Sequence, residues 1–361
     1  MDNKLQQVCK AFRIEGEYVG YEEIKVGNVN RTYKANFINP DGSPKSYILQ
    51  KVNTYVFQKP VEVMENIDHV TEYIRARNPG RKALHFHHTH DRKTYVFDRE
   101  DFWRLLNYIP SEAFDAGVNL EVVRRAGAAF GEFQTMLSDF PAEQLHVTIP
   151  DFHDTAARYV KFEADVAADP CGKVQEARAE IEWLLSVKEK ACRLMALHNA
   201  GQLPLRVTHN DTKINNVLFD RVTGDAVVID LDTVMPGLVG ADFGDAIRFA
   251  ANFVEEDCPQ AEKAGVDMAV FRAFAEGFLS RTAKTLTQTE IDTLALSCFV
   301  LAAELAVRFL NDYILGSPYF KINYPEHNLV RARCQIARAK DMLARMDEMD
   351  AIVQECVCAY R

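Results

Sequence analysis

The stretch Thr208-His209-Asn210-Asp211-Thr212-Lys213-Ile214-Asn215-Asn216 brings a carboxylate, an ammonium and an amide into one short loop. An apolar strand end precedes it and the strand-like run Asn216-Val217-Leu218-Phe219 follows. Asp211 is suited to accept the proton of an incoming hydroxyl, because a carboxylate there stays ionised at neutral pH and can orient a nucleophile. Asn216 offers a neutral amide oxygen to Mg²⁺. Asp230 lies nineteen residues after Asp211, at the end of the strand-like Ala226-Val227-Val228-Ile229, and supplies a hard carboxylate oxygen for the same metal. Lys213 is a mobile positive charge able to offset charge growing on a transferring phosphate, and His209 is assigned to holding the loop by hydrogen bonding. An aspartate before a strand is, taken singly, a turn residue or a cap; the joint pattern of Asp211, Asn216 and Asp230 points to phosphoryl transfer. The nearby Asp242-Phe243-Gly244 begins a helix-like run 31 residues beyond Asp211. Asp242 and Asp245 are therefore expected to fix that helix start or brace the catalytic loop, rather than bind metal directly.

These groups need a scaffold, and the pattern along the chain supplies two kinds. Residues 1–110 read as a helix, a set of short β-rich runs (Tyr21 to Phe37, Tyr47 to Val52, YVFD and FWRLLNYI) and one helix from Val61 to Arg77. The turn Asn39-Pro40-Asp41-Gly42 joins two of those runs. Residues 111–361 change to long helices, expected at Leu120–Leu137, Cys171–Asn199, Phe271–Ser280, Glu290–Leu315 and Asn328–Cys358. The expectation is an α+β, two-lobed chain: a small β-rich nucleotide-binding lobe, then a larger, mainly helical catalytic and acceptor-binding lobe.

Composition bounds the rest. With 361 residues, 48% hydrophobic and 26% charged, the chain is long enough for one large or two medium globular domains. No apolar run approaches 18 residues and the N-terminus lacks the apolar core of a secretion signal, so a cytoplasmic location with no membrane association is expected. The eight cysteines are spread along the chain, and Cys356-Val-Cys358 has no second pair at a zinc-ligand spacing, so they read as reduced thiols. A formal charge of -10 argues against nucleic acid as the main partner. The tract His85-Phe86-His87-His88-Thr89-His90 reads either as a metal tract or, preferably, as a solvated edge segment. No obligate protein partner is indicated.

HNDTKINN followed by VVIDLD resembles the kinase-like phosphotransferases that include aminoglycoside phosphotransferases and choline kinases. LRVTHNDTK, IDLDTVMPG, DFGDAIRF and YPEHNLVR together are similar to the bacterial N-acetylhexosamine 1-kinases over nearly the whole chain. The resemblance implies a protein-kinase-like fold, ATP and Mg²⁺ as cofactors, and phosphorylation of N-acetylglucosamine or N-acetylgalactosamine at the anomeric hydroxyl. It also implies that Gly27, Asn28, Asn30 and Thr32 belong to a phosphate-covering loop, whose other reading is a hairpin turn. Gln50 stands where the family carries a lysine that pairs with the nucleotide phosphates. Its neighbour Lys51 faces the opposite side unless the strand is bulged. Asn107 and Ile109 fall in the segment that resembles the hinge meeting adenine, although its apolar residues serve equally as core.

On the acceptor side, Arg308, Asp312 and Tyr319 lie on a helix and the turn after it. Arg308 and Asp312 are four apart, so an exposed helix salt bridge is one reading. Sugar contact is the other, with Arg and Asp hydrogen-bonding to hydroxyls or an amide and Tyr stacking on a ring. Other small acceptors (choline, homoserine, a thiosugar, an aminoglycoside) and a non-catalytic nucleotide-binding regulator remain alternatives.

Overall fold

The computed structural model describes residues 1–25, 29–80, 84–98, 100–114 and 119–361. Two compact units result: residues 1–113 with 143–148 and 218–235, and residues 114–142, 149–217 and 236–361. The first unit takes in two later segments, the second of which carries Asp230.

In the first unit, five antiparallel strands stand in the order Glu17–Ile24, Arg31–Ile38, Pro44–Val52, Asp101–Asn107 and Val96–Asp98. Alternation sends Tyr33, Ala35 and Phe37 of one strand, Tyr47 and Leu49 of the next, and Trp103 and Leu105 of a third into one core. The helix Asp2–Lys10 covers it with Leu5, Val8 and Cys9. The pairing of Pro44–Val52 with both neighbours runs without a bulge, so Gln50 opposes Arg104 while Lys51 opposes Trp103. The helix Pro60–Arg77 starts with proline at its first turn and buries Val63, Ile67, Val70 and Ile74, as the apolar spacing requires.

The second unit is mainly helical. Its helices Leu120–Met136 and Met268–Thr282 meet at glycines: a Cβ on Gly277 would stand 1.9 Å from the Arg124 carbonyl oxygen, and one on Gly127 would stand 2.4 Å from that of Phe274. The small residues of AGAAFG thus set how closely the two backbones approach. Three of the long helices expected from the sequence are divided. The stretch 171–199 becomes Arg178–Ser186, Lys188–Ala191 and Arg193–Asn199, 290–315 becomes Gln288–Asp292 and Leu294–Ile314, and 328–358 becomes His327–Ala344 and Met346–Tyr360. The dividing residues Val187, Cys192, Thr293 and Arg345 include no Gly or Pro, so no local breaker marks them. Leu294–Ile314 is, among the described residues, the one helix long and apolar enough to cross a membrane, and 78% of its most apolar window is buried inside the protein. Glu304 and Arg308 interrupt its sequence, which is why no continuous apolar run announces it.

Candidate active site

The Thr208–Asn216 loop of the second unit is built around a buried carboxylate. Asp242, 1% exposed in the first turn of the helix Val239–Ala250, accepts from the backbone N–H of His209 (2.9 Å) and of Asn210 (2.7 Å) and from Gln134 Nε2 (2.7 Å). Gln134 also donates to the Val207 carbonyl at 3.0 Å. Burial lifts the Asp242 carboxyl above its ordinary range, against three N–H donors that favour its ionised form. Asn210 takes a left-handed φ of 65°, a conformation asparagine tolerates better than most residues. Gly237 leaves the space this turn needs, since a Cβ there would lie 2.3 Å from Thr208 Oγ1. His209 is fully buried, stacks edge-on to Phe130 and Phe133, and receives the Asp211 backbone N–H on Nδ1 at 3.2 Å. It is a structural residue of the loop.

Asp211 is held from two sides. Lys213 Nζ lies 2.7 Å from its Oδ1, and Asn216 Nδ2 donates to its Oδ2 at 3.1 Å and to its backbone carbonyl at 2.8 Å. Burial works to lower Lys213, but Asp211 outweighs it and the ammonium titrates above its ordinary range. A quarter of the Asp211 side chain remains exposed, so the carboxylate is both oriented and reachable. Behind it, Asp245 accepts the Thr212 N–H at 3.2 Å and pairs with Arg248 at 2.7 Å. Asp242 and Asp245 therefore brace the loop, as expected of them.

The acceptor-side residues separate. Asp312 is 5% exposed and its carboxylate accepts from the backbone N–H groups of Tyr319 (2.9 Å) and Phe320 (3.0 Å) and from Asn328 Nδ2 (2.8 Å). It folds the turn and is not half of an exposed salt bridge. Arg308 instead faces the Phe320 ring at 5.4 Å, and burial with the neighbouring Arg158 lowers its pKa. Tyr319 is 75% exposed. Two residues the sequence reading missed lie near: Glu304, 2% exposed, accepts from Thr155 Oγ1 (2.8 Å) and pairs with His153 Nδ1 (3.1 Å), whose Nε2 stands 3.4 Å from the Asn210 carbonyl. A buried glutamate inside an otherwise apolar helix was the available signal.

In the first unit Gln50, Thr32 and Asn30 are joined through a buried ion pair. Arg104, 2% exposed, forks onto both oxygens of the equally buried Asp232, with Nη2 to Oδ2 at 3.0 Å, and donates from Nε to Gln50 Oε1 at 2.9 Å. Gln50 Nε2 donates to Thr32 Oγ1 at 3.2 Å. Asn30 Nδ2 donates to Asp232 Oδ2 at 2.6 Å while its Oδ1 takes the Asn53 N–H at 2.9 Å. Lys51 pairs with Asp101 on the other face of the strand. Arg104 and Asp232 went unnoticed in the sequence, although an arginine inside the apolar FWRLL and the second aspartate of IDLD both mark them. Asp230 is exposed and takes a left-handed φ of 59°. Asn107 Oδ1 accepts the His85 N–H at 2.7 Å, and Ile109 is buried. Gly27 and Asn28 lie outside the described residues.

Asn216 in the second unit and Asp230 in the first each carry a hard oxygen of the kind Mg²⁺ prefers. The second-unit loop can orient a hydroxyl at Asp211 and set Lys213 beside it.

Comparison with known proteins agrees with that chemistry. A model of a phosphotransferase enzyme family matches residues 20–277, more than half of the chain. The fold is similar to an aminoglycoside phosphotransferase from Alicyclobacillus acidocaldarius (12% identity, 97% of this chain and 96% of that one, TM-score 0.65). It is also similar to a choline kinase from Cryptosporidium parvum (13%, 98% and 99%, TM-score 0.59) and to an amicoumacin kinase in complex with AMP-PNP, Ca²⁺ and Ami (13%, 93% and 92%, TM-score 0.61). The protein-kinase-like α+β architecture, a small antiparallel-sheet unit and a larger helical one, is thereby shared. With Asp211, Lys213 and Asn216 in one braced loop, the chain belongs to the phosphotransferase enzyme family that includes the aminoglycoside phosphotransferases.

Proposed function

We propose that the protein is an ATP- and Mg²⁺-dependent kinase that phosphorylates N-acetylhexosamines at the anomeric hydroxyl. The observation that carries the chemistry is the clamp of Lys213 and Asn216 on the Asp211 carboxylate. Asp211 accepts the proton of the sugar hydroxyl as its oxygen bonds to the γ-phosphorus and the bond to the β,γ-bridging oxygen breaks, leaving ADP. Lys213 offsets charge on the transferring group. Asn216 and Asp230 are the residues that would hold Mg²⁺, which, when bound, neutralises charge on the β- and γ-phosphates. No covalent enzyme intermediate is needed.

The nucleotide role falls to Asn30, Thr32 and Gln50, tied together through Arg104 and Asp232, with Asn107 and Ile109 at the hinge-like segment. Arg104 replaces the family lysine in charge but works at one remove: being buried, it fixes Gln50 and Asp232 rather than touching phosphate. For the acceptor, Arg308 lies beside Arg158 and Glu304, a surround whose guanidinium groups can donate to carbonyl and hydroxyl oxygens. Asp312 takes part by shaping the turn that presents Tyr319.

A panel of N-acetylglucosamine, N-acetylgalactosamine, glucose, choline, homoserine and kanamycin, assayed for ADP release with ³¹P NMR of the product, tests this reading. An acid-labile anomeric phosphate from the N-acetylhexosamines supports it. Turnover confined to choline, homoserine or kanamycin removes the sugar assignment and keeps the family chemistry.

A further inference from the structure

The histidine tract has a second life in the structure. His85, His87 and His88 turn out of a segment that pairs with the edge of Asp101–Asn107: His87 N–H donates to the Leu105 carbonyl at 2.8 Å and Asn107 N–H to that of His85 at 3.1 Å. Together with Arg13, Arg75 and Arg92 they line a cavity of about 500 Å³, entirely within the first unit. In a chain of formal charge -10, three guanidinium groups around one opening outnumber the two carboxylates beside it, Glu72 and Asp68, and leave the lining locally positive.

The cluster is constructed rather than scattered. Arg13 is fixed by its backbone N–H to the His88 carbonyl (2.8 Å) and by Nη2 to the His90 carbonyl (2.8 Å). Arg75 Nη1 stands 3.1 Å from His85 Nδ1. Arg92 holds a left-handed φ of 68° in a turn closed by Thr89 Oγ1, which accepts the Lys93 N–H at 3.0 Å. Such a conformation in a non-glycine residue is uncommon and persists where surroundings impose it. His87 Nε2 is buried and has no hydrogen-bond partner among the described residues, so it lies beneath the lining while Arg13, Arg75 and Arg92 are exposed at the surface. Burial first, with His85 and Lys45 adding to it, pushes His87 down to about 4, so its ring is neutral at neutral pH. The acids in reach are engaged: Glu72 with Arg75 and Asp68 with His88. Among the described residues no group of three His, Cys, Asp or Glu is set to hold a metal ion.

We propose that this cavity is a binding site for a small phosphate-bearing metabolite, separate from the residues assigned to ATP. Guanidinium forks match phosphate oxygens in pairs, imidazole N–H groups complete the shell, and the volume falls in the range of metabolite pockets rather than that of a single oxyanion.

The test uses the full chain labelled with ¹⁵N-histidine and saturated with ADP and Mg²⁺, titrated with pyrophosphate and, separately, with citrate. Saturable shifts of the His85, His87 and His88 ring signals by pyrophosphate, weakened at least tenfold in Arg13→Gln/Arg92→Gln with basal ADP release unchanged, are the expected result. Arg75→Gln, which leaves the Thr89–Lys93 turn untouched, should weaken binding likewise. Equal affinity in these variants, shifts confined to other histidines, a non-saturating response marking an adventitious ion only, or preference for citrate would each overturn the proposal.

Discussion

Asn216 donates its side-chain N–H to both the carboxylate and the backbone carbonyl of Asp211, at 3.1 and 2.8 Å. With the amide nitrogen committed there, the amide oxygen is the atom left for a cation, so in the proposed mechanism one residue would both aim the base and offer a metal ligand. Replacing Asn216 by Ala should therefore lower kcat and raise the Mg²⁺ concentration for half-maximal rate together. Steady-state rates over a Mg²⁺ titration check it, and a kcat loss with an unchanged Mg²⁺ response would leave only the aiming role.

Asp242 holds the loop at the backbone of His209 and Asn210. Asp242→Asn exchanges one accepting oxygen for a donor facing N–H groups, which loosens the loop without opening a cavity. Because small misplacements of a reacting group cost up to about 10²-fold, kcat is expected to fall roughly 10- to 100-fold with native circular dichroism. Wild-type turnover in this variant would show that the loop does not depend on Asp242.

Much of this was legible in the sequence, and the remainder was hidden for physical reasons. The contacts among Asp211, Lys213 and Asn216 lie within one short segment, so local spacing exposes them. The first-unit strands announce themselves through alternation, as Tyr33, Ala35 and Phe37 show. Arg104 and Asp232 are 128 residues apart. Their pairing exists only once the sheet has formed. Asp312 illustrates the opposite case, where helical spacing to Arg308 invited a salt bridge but three donors from the following turn and helix claim the carboxylate.

Removing Arg104 should leave Asp232 as an uncompensated buried charge. Arg104→Met is expected to cost the first unit about 3–5 kcal/mol, whereas Arg104→Met/Asp232→Leu should recover much of that loss. Urea unfolding followed by Trp103 fluorescence in a Trp183→Phe background separates this unit from the helical one. Equal stability of the single and double variants would contradict a tight pair.

The buried His153–Glu304 pair has a defined pH signature. Burial lowers His153, but Glu304 outweighs it and the imidazole titrates above its ordinary 6.5; burial raises Glu304, but His153 outweighs it and the carboxyl titrates below its ordinary 4.5. The histidine contribution is complete below pH 6.5 and is lost as pH rises through the raised value. The glutamate contribution is complete above 4.5 and is lost as pH falls through the lowered one. The pair should thus stabilise the helical unit most between these limits, and His153→Gln should abolish the decline above pH 6.5. Urea midpoints of both proteins from pH 5 to 8.5 measure it; parallel curves would refute the assignment.

The most direct test of Asp211 as the base compares the wild type with Asp211→Asn in ADP release stimulated by N-acetylglucosamine or N-acetylgalactosamine, alongside ATP affinity in the same buffer. Acceptor-dependent release in the wild type, reduced by about 10²- to 10⁴-fold in the variant with ATP affinity within a few-fold, is the expected result. Undiminished release in Asp211→Asn would contradict it.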